Sequence, residues 1–351
     1  MKKYSLYMEK EDAGNEWRNA YLKELLEFIE KEKGKADKTR RKYFSPSLTS
    51  VEAYEADTAI FREEYRRMLG INYFDRFEAP SEPVGKYEVA EDTLSKIYRV
   101  RIPIVKGLEM YGILFLADSG GGKAPLVIHP HGGHGTPERT YGFFGEGYHE
   151  MVRRFLLKKV SIFMPQLLLW VSETDGDKYN RFNVDMNLKQ LGTSLAGLEV
   201  FSIQKAIDWL VQEEGVDSER IGMAGLSYGG YYTLLTAAAD TRIKVGYVSG
   251  AYKDSFLHND RDDATDMTFE GAANKFLDNE FIKLICPRPL FIEAASDDYY
   301  FDAEASRLRS FEPTETYASL KLSDRFRFRI FEGIHEYPRD DEGLDFVLEH
   351  L

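Results

Sequence analysis

Residues 221–235 read IGMAGLSYGGYYTLL, a short apolar run, then Gly225-Leu226-Ser227-Tyr228-Gly229-Gly230, then a run of helical character. G-x-S-x-G between a strand and a helix constrains this chain more than any other stretch, because few architectures contain that turn. The turn is tight. Glycines two before and two after the serine let strand and helix approach closely. Ser227 then stands at the apex with its hydroxyl at the helix N-terminus, and the Tyr228 N–H is directed into the same space. A glycine-rich turn with an incidental serine has the same spelling, so the rest of the chain must decide.

From about Lys86 onward, strand-like and helix-like runs alternate. Ile97–Val105 and Met110–Leu116 are β-rich and joined around Lys106-Gly107, which predicts a hairpin. Strands are then expected at Pro125–His129, Val160–Met164, Ile221–Ala224, Lys244–Val248, Pro289–Ala294 and Phe326–Phe331. Helices are expected at Tyr148–Leu157, Leu195–Val211 and Tyr228–Ala239, from about Ala303, and at Glu342–Leu351. This alternation predicts an α/β fold with a mostly parallel central sheet, helices on both faces and antiparallel opening strands. Gln166–Gly192 and Tyr252–Asn274 fit no regular element. Both leave strand C-termini, where ligands bind in such sheets.

The first 75 or so residues differ. Leu22, Leu25, Leu26 and Ile29 form a helical stripe, KEKGKADKTRRK (31–42) reads as a solvated basic loop, and a second helix runs from Thr49 or Ser50 to Gly70. The expected division is therefore a helical extension, flank or cap, over 1–80 and an α/β domain over 81–351. Self-association through these helices is a further expectation.

Lys and Arg number 46 against 59 Asp and Glu, a net charge of −13. That balance disfavours nucleic acid and anionic membranes as partners. No apolar stretch reaches membrane-spanning length, and no signal-peptide pattern follows the N-terminal MKK, so a soluble cytoplasmic protein is expected. Cys286 is the only cysteine, which excludes an intrachain disulfide and a cysteine-rich zinc module.

Three further stretches supply chemistry. HPHGGHG (129–135) follows the PLVIH strand, and its glycine pair can direct backbone N–H groups at an oxyanion. Gly133, with Gly132 next, is the expected donor beside Tyr228. His129, His131 and His134 also admit a zinc reading, but they lack the helical H-E-x-x-H spacing. ICPRPLFIEAASDDYY (285–300) ends a strand in two aspartates that can orient a histidine. Asp298 and Asp297 both qualify on chemistry, and Asp302 is a weaker third candidate. RFRIFEGIHEYP (327–338) puts His335 after the acid and before the last helix. The order Ser227, Asp298, His335 is nucleophile, acid, base, as in one of the three well-known serine hydrolase arrangements.

With these residues the chain resembles the α/β-hydrolases from about residue 86 to its end. It is most similar to the dienelactone-hydrolase-related and acetyl-xylan-esterase-like hydrolases. The matching stretches are PLVIHPHGG, the run from GTSLAGLEV through GLSYGGYYTLL, ADTRIKVGYVSGAY, CPRPLFIEAASDD and EGIHEY. Counting from Pro289, the resemblance places the family's aspartate on Asp298; a G-x-x-D pattern from Ala294 places it on Asp297. The resemblance thus favours Asp298, with Asp297 the alternative acid, and Ala295 then stands where the family usually has glycine. Dienelactone hydrolase itself uses a cysteine at the position of Ser227. G-x-S-Y-G-G-Y also resembles the prolyl-oligopeptidase-like peptidases, which usually carry a β-propeller ahead of the hydrolase.

The resemblance implies ester hydrolysis through an acyl-serine, with no metal or organic cofactor. The expected substrate is a small-molecule ester, an acetyl ester of a carbohydrate or small alcohol. Activity is expected to fall at acid pH as His335 protonates. His131, Trp170, Tyr252 and Tyr299 are candidate pocket residues, with Tyr179 and Phe182 further aromatics near the site. The alternatives are a peptidase without a propeller and a binding protein of the same fold without turnover.

Overall fold

The computed structural model describes residues 6–169, 180–253 and 265–351. Its centre is a nine-stranded sheet in the order β1-β2-β3-β5-β4-β6-β7-β8-β9. β1 (Gly85–Glu91), β2 (Ser95–Val105) and β3 (Leu108–Ala117) form an antiparallel meander. β3 runs antiparallel to β5 (Ser161–Pro165). From there β4 (Ala124–Ile128), β6 (Val216–Leu226), β7 (Val245–Ser249), β8 (Leu290–Ala295) and β9 (Phe326–Phe331) continue in parallel. This is the expected sheet, with β1 as a strand that the sequence reading did not resolve.

β5, β7 and β8 are buried at every position, as strands covered on both faces must be. One face carries α4 (Met151–Leu157) and α10 (Glu342–His350), whose Phe155, Leu344 and Phe346 pack with Ile162, Tyr247 and Phe291. The other carries α6 (Leu195–Leu210), α7 (Tyr228–Ala239) and α8 (Asp278–Ile285). The strand order reverses at β4, with β5 on one side and β6 on the other. The crevice of such a sheet opens there, at the strand C-termini. HPHGGHG leaves β4 at this point and Ser227 follows β6.

Of the N-terminal helices, the second runs where the sequence reading places it and the first departs from that reading. α2 (Val51–Leu69) begins at Ser50, whose hydroxyl accepts the Ala53 N–H, and ends at Gly70 in the left-handed conformation. Its Tyr54, Tyr65 and Leu69 belong to the main core, and Tyr54 and Tyr65 donate to the carbonyls of Lys283 and Leu235. α2 is therefore a flank of the α/β domain. The expected loop at 31–42 is instead helix, because α1 runs unbroken over Asn15–Tyr43. Ion pairs one turn apart (Lys33–Glu30, Arg41–Asp37) and burial of Ala36 and Arg40 outweigh the roughly 1 kcal/mol that Gly34 costs.

Three more elements were not anticipated. α3 (Pro137–Tyr141) follows the HPHGGHG loop. α5 (Arg181–Leu191) occupies part of the expected 166–192 connection; its buried positions are Arg181 and Asp185, so it carries no apolar stripe to read. α8 lies beyond the second expected loop and is only eight residues long, too short a run for its helical period to be told from a strand. The helix expected from Tyr148 begins regularly only at Met151.

Candidate active site

The β6–α7 turn is as tight as its glycines require. A Cβ at Gly225 would collide with the Gly229 backbone, and one at Gly229 with the Pro130 carbonyl. Ser227 sits at φ 59, ψ −125, a conformation that favours glycine, and its N–H donates to the Ser249 carbonyl at 2.9 Å. Strain of this kind persists only where the surroundings impose it, and it gathers at functional sites.

The HPHGGHG loop lies against this turn. It is Gly132, ahead of Gly133, that abuts the serine: a Cβ there would stand 3.4 Å from Ser227 Cβ, whereas one at Gly133 meets the Tyr228 ring at 3.6 Å. The Gly132 N–H donates to Tyr148 Oη at 2.8 Å. Tyr148, His149 and Glu150 all have positive φ (48, 48 and 59), so this contact is held by a strained turn. Its other end is fixed by His149, which meets the Tyr337 carbonyl at 2.5 Å and Glu336 at 2.7 Å. Tyr148 had no sequence signal beyond its place near two glycines. Tyr148→Phe leaves a buried N–H unpaired, so it should cost about 1–3 kcal/mol in urea unfolding. Because Gly132 borders Ser227, kcat should fall with it.

The loop histidines serve the loop. His131 is fully buried; Nδ1 meets the Gly132 carbonyl at 2.8 Å and Nε2 accepts the Leu167 N–H at 3.0 Å. Buried and with both nitrogens engaged, His131 supports the loop, and its ring is not among those lining the cleft beside Asp298. His129 is buried against the Tyr337 hydroxyl at 3.2 Å, and His134 is exposed. The two buried rings thus have separate partners, and no cluster able to hold a metal occurs among the described residues.

Burial pushes the His129 pKa down to about 4, against about 6.5 for an exposed imidazole. Between those values the unfolded chain binds a proton that the folded chain does not. Stability due to this residue is therefore full above about pH 6.5 and falls by about 3 kcal/mol as the pH drops to 4. His131 is shifted the same way by burial. Urea midpoints from pH 7 to 4 should decline less steeply in His129→Asn; identical slopes would count against this account.

β8 and β9 deliver the acid and the base. His335 Nδ1 lies 2.7 Å from Asp298 Oδ2. Asp298 Oδ1 accepts the N–H groups of Tyr300 at 2.8 Å and Phe301 at 3.1 Å, which fixes the carboxylate. His335 Nε2 is buried and has no hydrogen-bond partner among the described residues. Asp297 is exposed and accepts the Ser296 hydroxyl at 3.0 Å, and Asp302 caps α9 (Ala303–Ser319) through the Ala305 N–H. The structure thus pairs Asp298 with His335 and gives the other two local duties.

Gly250 joins the two halves of the site. The residue before it receives the Ser227 N–H, and a Cβ on Gly250 would stand 3.2 Å from the His335 ring and 3.4 Å from Asp298 Oδ2. Its φ of 52 also favours glycine. The sequence reading missed it, since a lone glycine after a strand carries no signal of what packs on it.

Of the candidate pocket aromatics, Tyr299 is exposed, with its ring centroid 6.0 Å from His335. Tyr300 meets His335 edge-on at 4.9 Å, and Phe301 stacks on it at 5.6 Å. A cleft of about 490 Å³ runs beside Asp298 along these three rings. Tyr252 is corrected: it is buried, with its hydroxyl 2.5 Å from Asn279 Oδ1, and belongs to the core. Trp170 and Tyr179 lie outside the described residues.

A buried charge cluster supports the floor. Arg181 donates to Asp266 at 2.7 Å, Glu199 at 2.8 Å, the Tyr232 hydroxyl at 2.7 Å and the Leu168 carbonyl at 2.9 Å, and its guanidinium lies 5.6 Å from the Tyr228 ring centre. It ties α5 to α6 and α7 beneath the residue that follows Ser227. Burial raises the Asp266 pKa, with Arg181 opposing. No sequence pattern joins residues this far apart.

The sequence profile of the prolyl oligopeptidase family matches residues 190–270. No curated protein matches the chain. Among solved structures, a candidate acetyl xylan esterase from Bacteroides fragilis is 14% identical, with TM-score 0.67, over 91% of this chain and 87% of its own. A methylesterase is 18% identical, with TM-score 0.68, over 90% of this chain and 68% of its own. A glucuronoyl esterase from Solibacter usitatus is 14% identical, with TM-score 0.64, over 87% of this chain and 94% of its own. At these identities the shared property is the architecture, and by its sheet order, its strand–serine–helix turn and these likenesses the chain has the α/β-hydrolase fold.

Proposed function

We propose that the chain is a serine hydrolase of carboxylic esters, acting on an acetyl or similar acyl ester of a carbohydrate or small alcohol. The observation that carries this is the placement of the Ser227 turn and the Asp298–His335 pair on the two sides of the Ser249–Gly250 backbone. His335 Nε2 takes the Ser227 proton as Oγ bonds to the ester carbonyl carbon. Asp298 holds the Nδ1–H tautomer and stabilises the imidazolium. The Tyr228 and Gly133 N–H groups receive the oxyanion, a contribution of about 10²–10³ in rate per donor. Collapse breaks the bond to the alcohol oxygen, which leaves with the proton from His335. Water then repeats the sequence on the acyl-serine and releases the acid. The carbohydrate side rests on the esterases that share the architecture and on the aromatic cleft beside Asp298.

The prolyl oligopeptidase profile favours a second reading, cleavage of a peptide bond by the same groups. A panel of p-nitrophenyl acetate, acetylated sugars and prolyl p-nitroanilides separates them. Ester turnover without anilide turnover is expected. Anilide turnover with the higher kcat/KM would replace the esterase reading, and binding without turnover would make the chain a binding protein.

A further inference from the structure

Only Ala36 and Arg40 of α1 are buried. Arg40 donates to the Ala273 carbonyl at 2.8 Å and pairs with Glu280 at 2.9 Å. The helix before this anchor exposes large apolar side chains to solvent. Trp17, Tyr21, Leu25 and Phe28 recur at helical spacing, and Leu22, Leu26 and Ile29 widen the stripe. Trp17 is 78% and Tyr21 72% exposed. At about 100° per residue the stripe spans half the helix circumference. A contiguous apolar face of this extent marks an interaction site. A helical segment so weakly packed on its own domain also lacks the tertiary support that most helices need.

Charge identifies the occupant. The face opposite the stripe carries Glu16, Glu24, Glu27 and Glu30 against Lys23 and Lys31, so beside the stripe it lacks the basic excess that draws an amphipathic helix to an anionic lipid surface. Lys33 lies at the margin of the apolar face, and Arg18 and Glu32 lie in its middle. They stand seven residues before and seven after Leu25 and have opposite signs. We propose that α1 pairs antiparallel with α1 of a second copy of this chain about a two-fold axis at Leu25. In that register each Arg18 meets the partner's Glu32. Tyr21 packs on the partner's Ile29, Leu22 on the partner's Phe28, and Leu25 on its own counterpart. Such self-complementarity is what a two-fold interface demands. Side chains of these sizes and exposures offer roughly 800 Å² per chain, the area one partner contributes to a standard stable interface.

Sedimentation equilibrium at micromolar concentration should return twice the chain mass, and Leu25→Glu should return the single mass with p-nitrophenyl acetate turnover unchanged. Arg18→Glu should weaken the dimer about ten-fold or more, and adding Glu32→Arg should restore it, since about 1.4 kcal/mol is a factor of ten. Register is read by Leu25→Cys under mild oxidant. The only native cysteine, Cys286, is buried, so a covalent dimer reports contact at the axis. A wild type that stays monomeric overturns the proposal. So does a dimer that survives Leu25→Glu and gives no cross-link through Leu25→Cys.

Discussion

Asparagine at Asp298 should lower kcat for p-nitrophenyl acetate about 10⁴-fold, the size of effect seen when a histidine loses its orienting carboxylate. Asparagine at Asp297 should leave the rate within a few-fold of wild type. The two residues are neighbours of the same type at the end of β8, yet only Asp298 reaches His335, at 2.7 Å. Its other oxygen is held by the Tyr300 and Phe301 N–H groups, so the amide in Asp298→Asn must either lose those bonds or present its NH₂ to the ring. In the second case the imidazole takes the wrong tautomer and Nε2 can no longer accept the serine proton. Steady-state kinetics on both variants decide the matter. A large loss in Asp297→Asn alone would move the acid by one residue and break the geometric account.

Ser227→Ala should abolish turnover, with a fall in kcat approaching 10⁶-fold where nucleophile and base act as a unit. Stability separates a lost nucleophile from a lost fold. The Ser227 side chain caps no helix N–H, so removing its hydroxyl should shift the urea midpoint little. Ser227→Gly should be equally inactive yet more stable than Ser227→Ala by about 1–2 kcal/mol, because glycine adopts φ 59, ψ −125 without the Cβ penalty. Activity against stability in the three proteins tests whether the strain is spent on presenting the hydroxyl. A Ser227→Gly variant no more stable than Ser227→Ala would remove that claim.

Much of the fold was legible because its signals are local. Strand and helix periods over 95–165 and 195–250 follow from which side chains must be buried, and the turn at Ser227 announces itself through three glycines whose absent Cβ atoms permit the close approach. Elements stabilised by polar burial were not legible. α5 buries an arginine and an aspartate, so a reading based on apolar period passes over it. The basic run 31–42 looked like a loop because its composition is polar, while ion pairs within the helix and a two-residue anchor hold it helical.

The site divides along the same line. Residue type and chain order alone nominate Ser227, Asp298 and His335, since nucleophile, carboxylate and imidazole are chemical identities carried by single positions. Contacts between distant segments are properties of packing, and they decided the rest. The tertiary structure paired Asp298 with His335 in preference to Asp297, set Gly250 behind the pair, placed Gly132 against Ser227, and bound it to Tyr148. It also withdrew His131 and Tyr252 into the interior, because an aromatic ring written beside a catalytic motif turns toward whichever surface buries it best, and here that surface was the core.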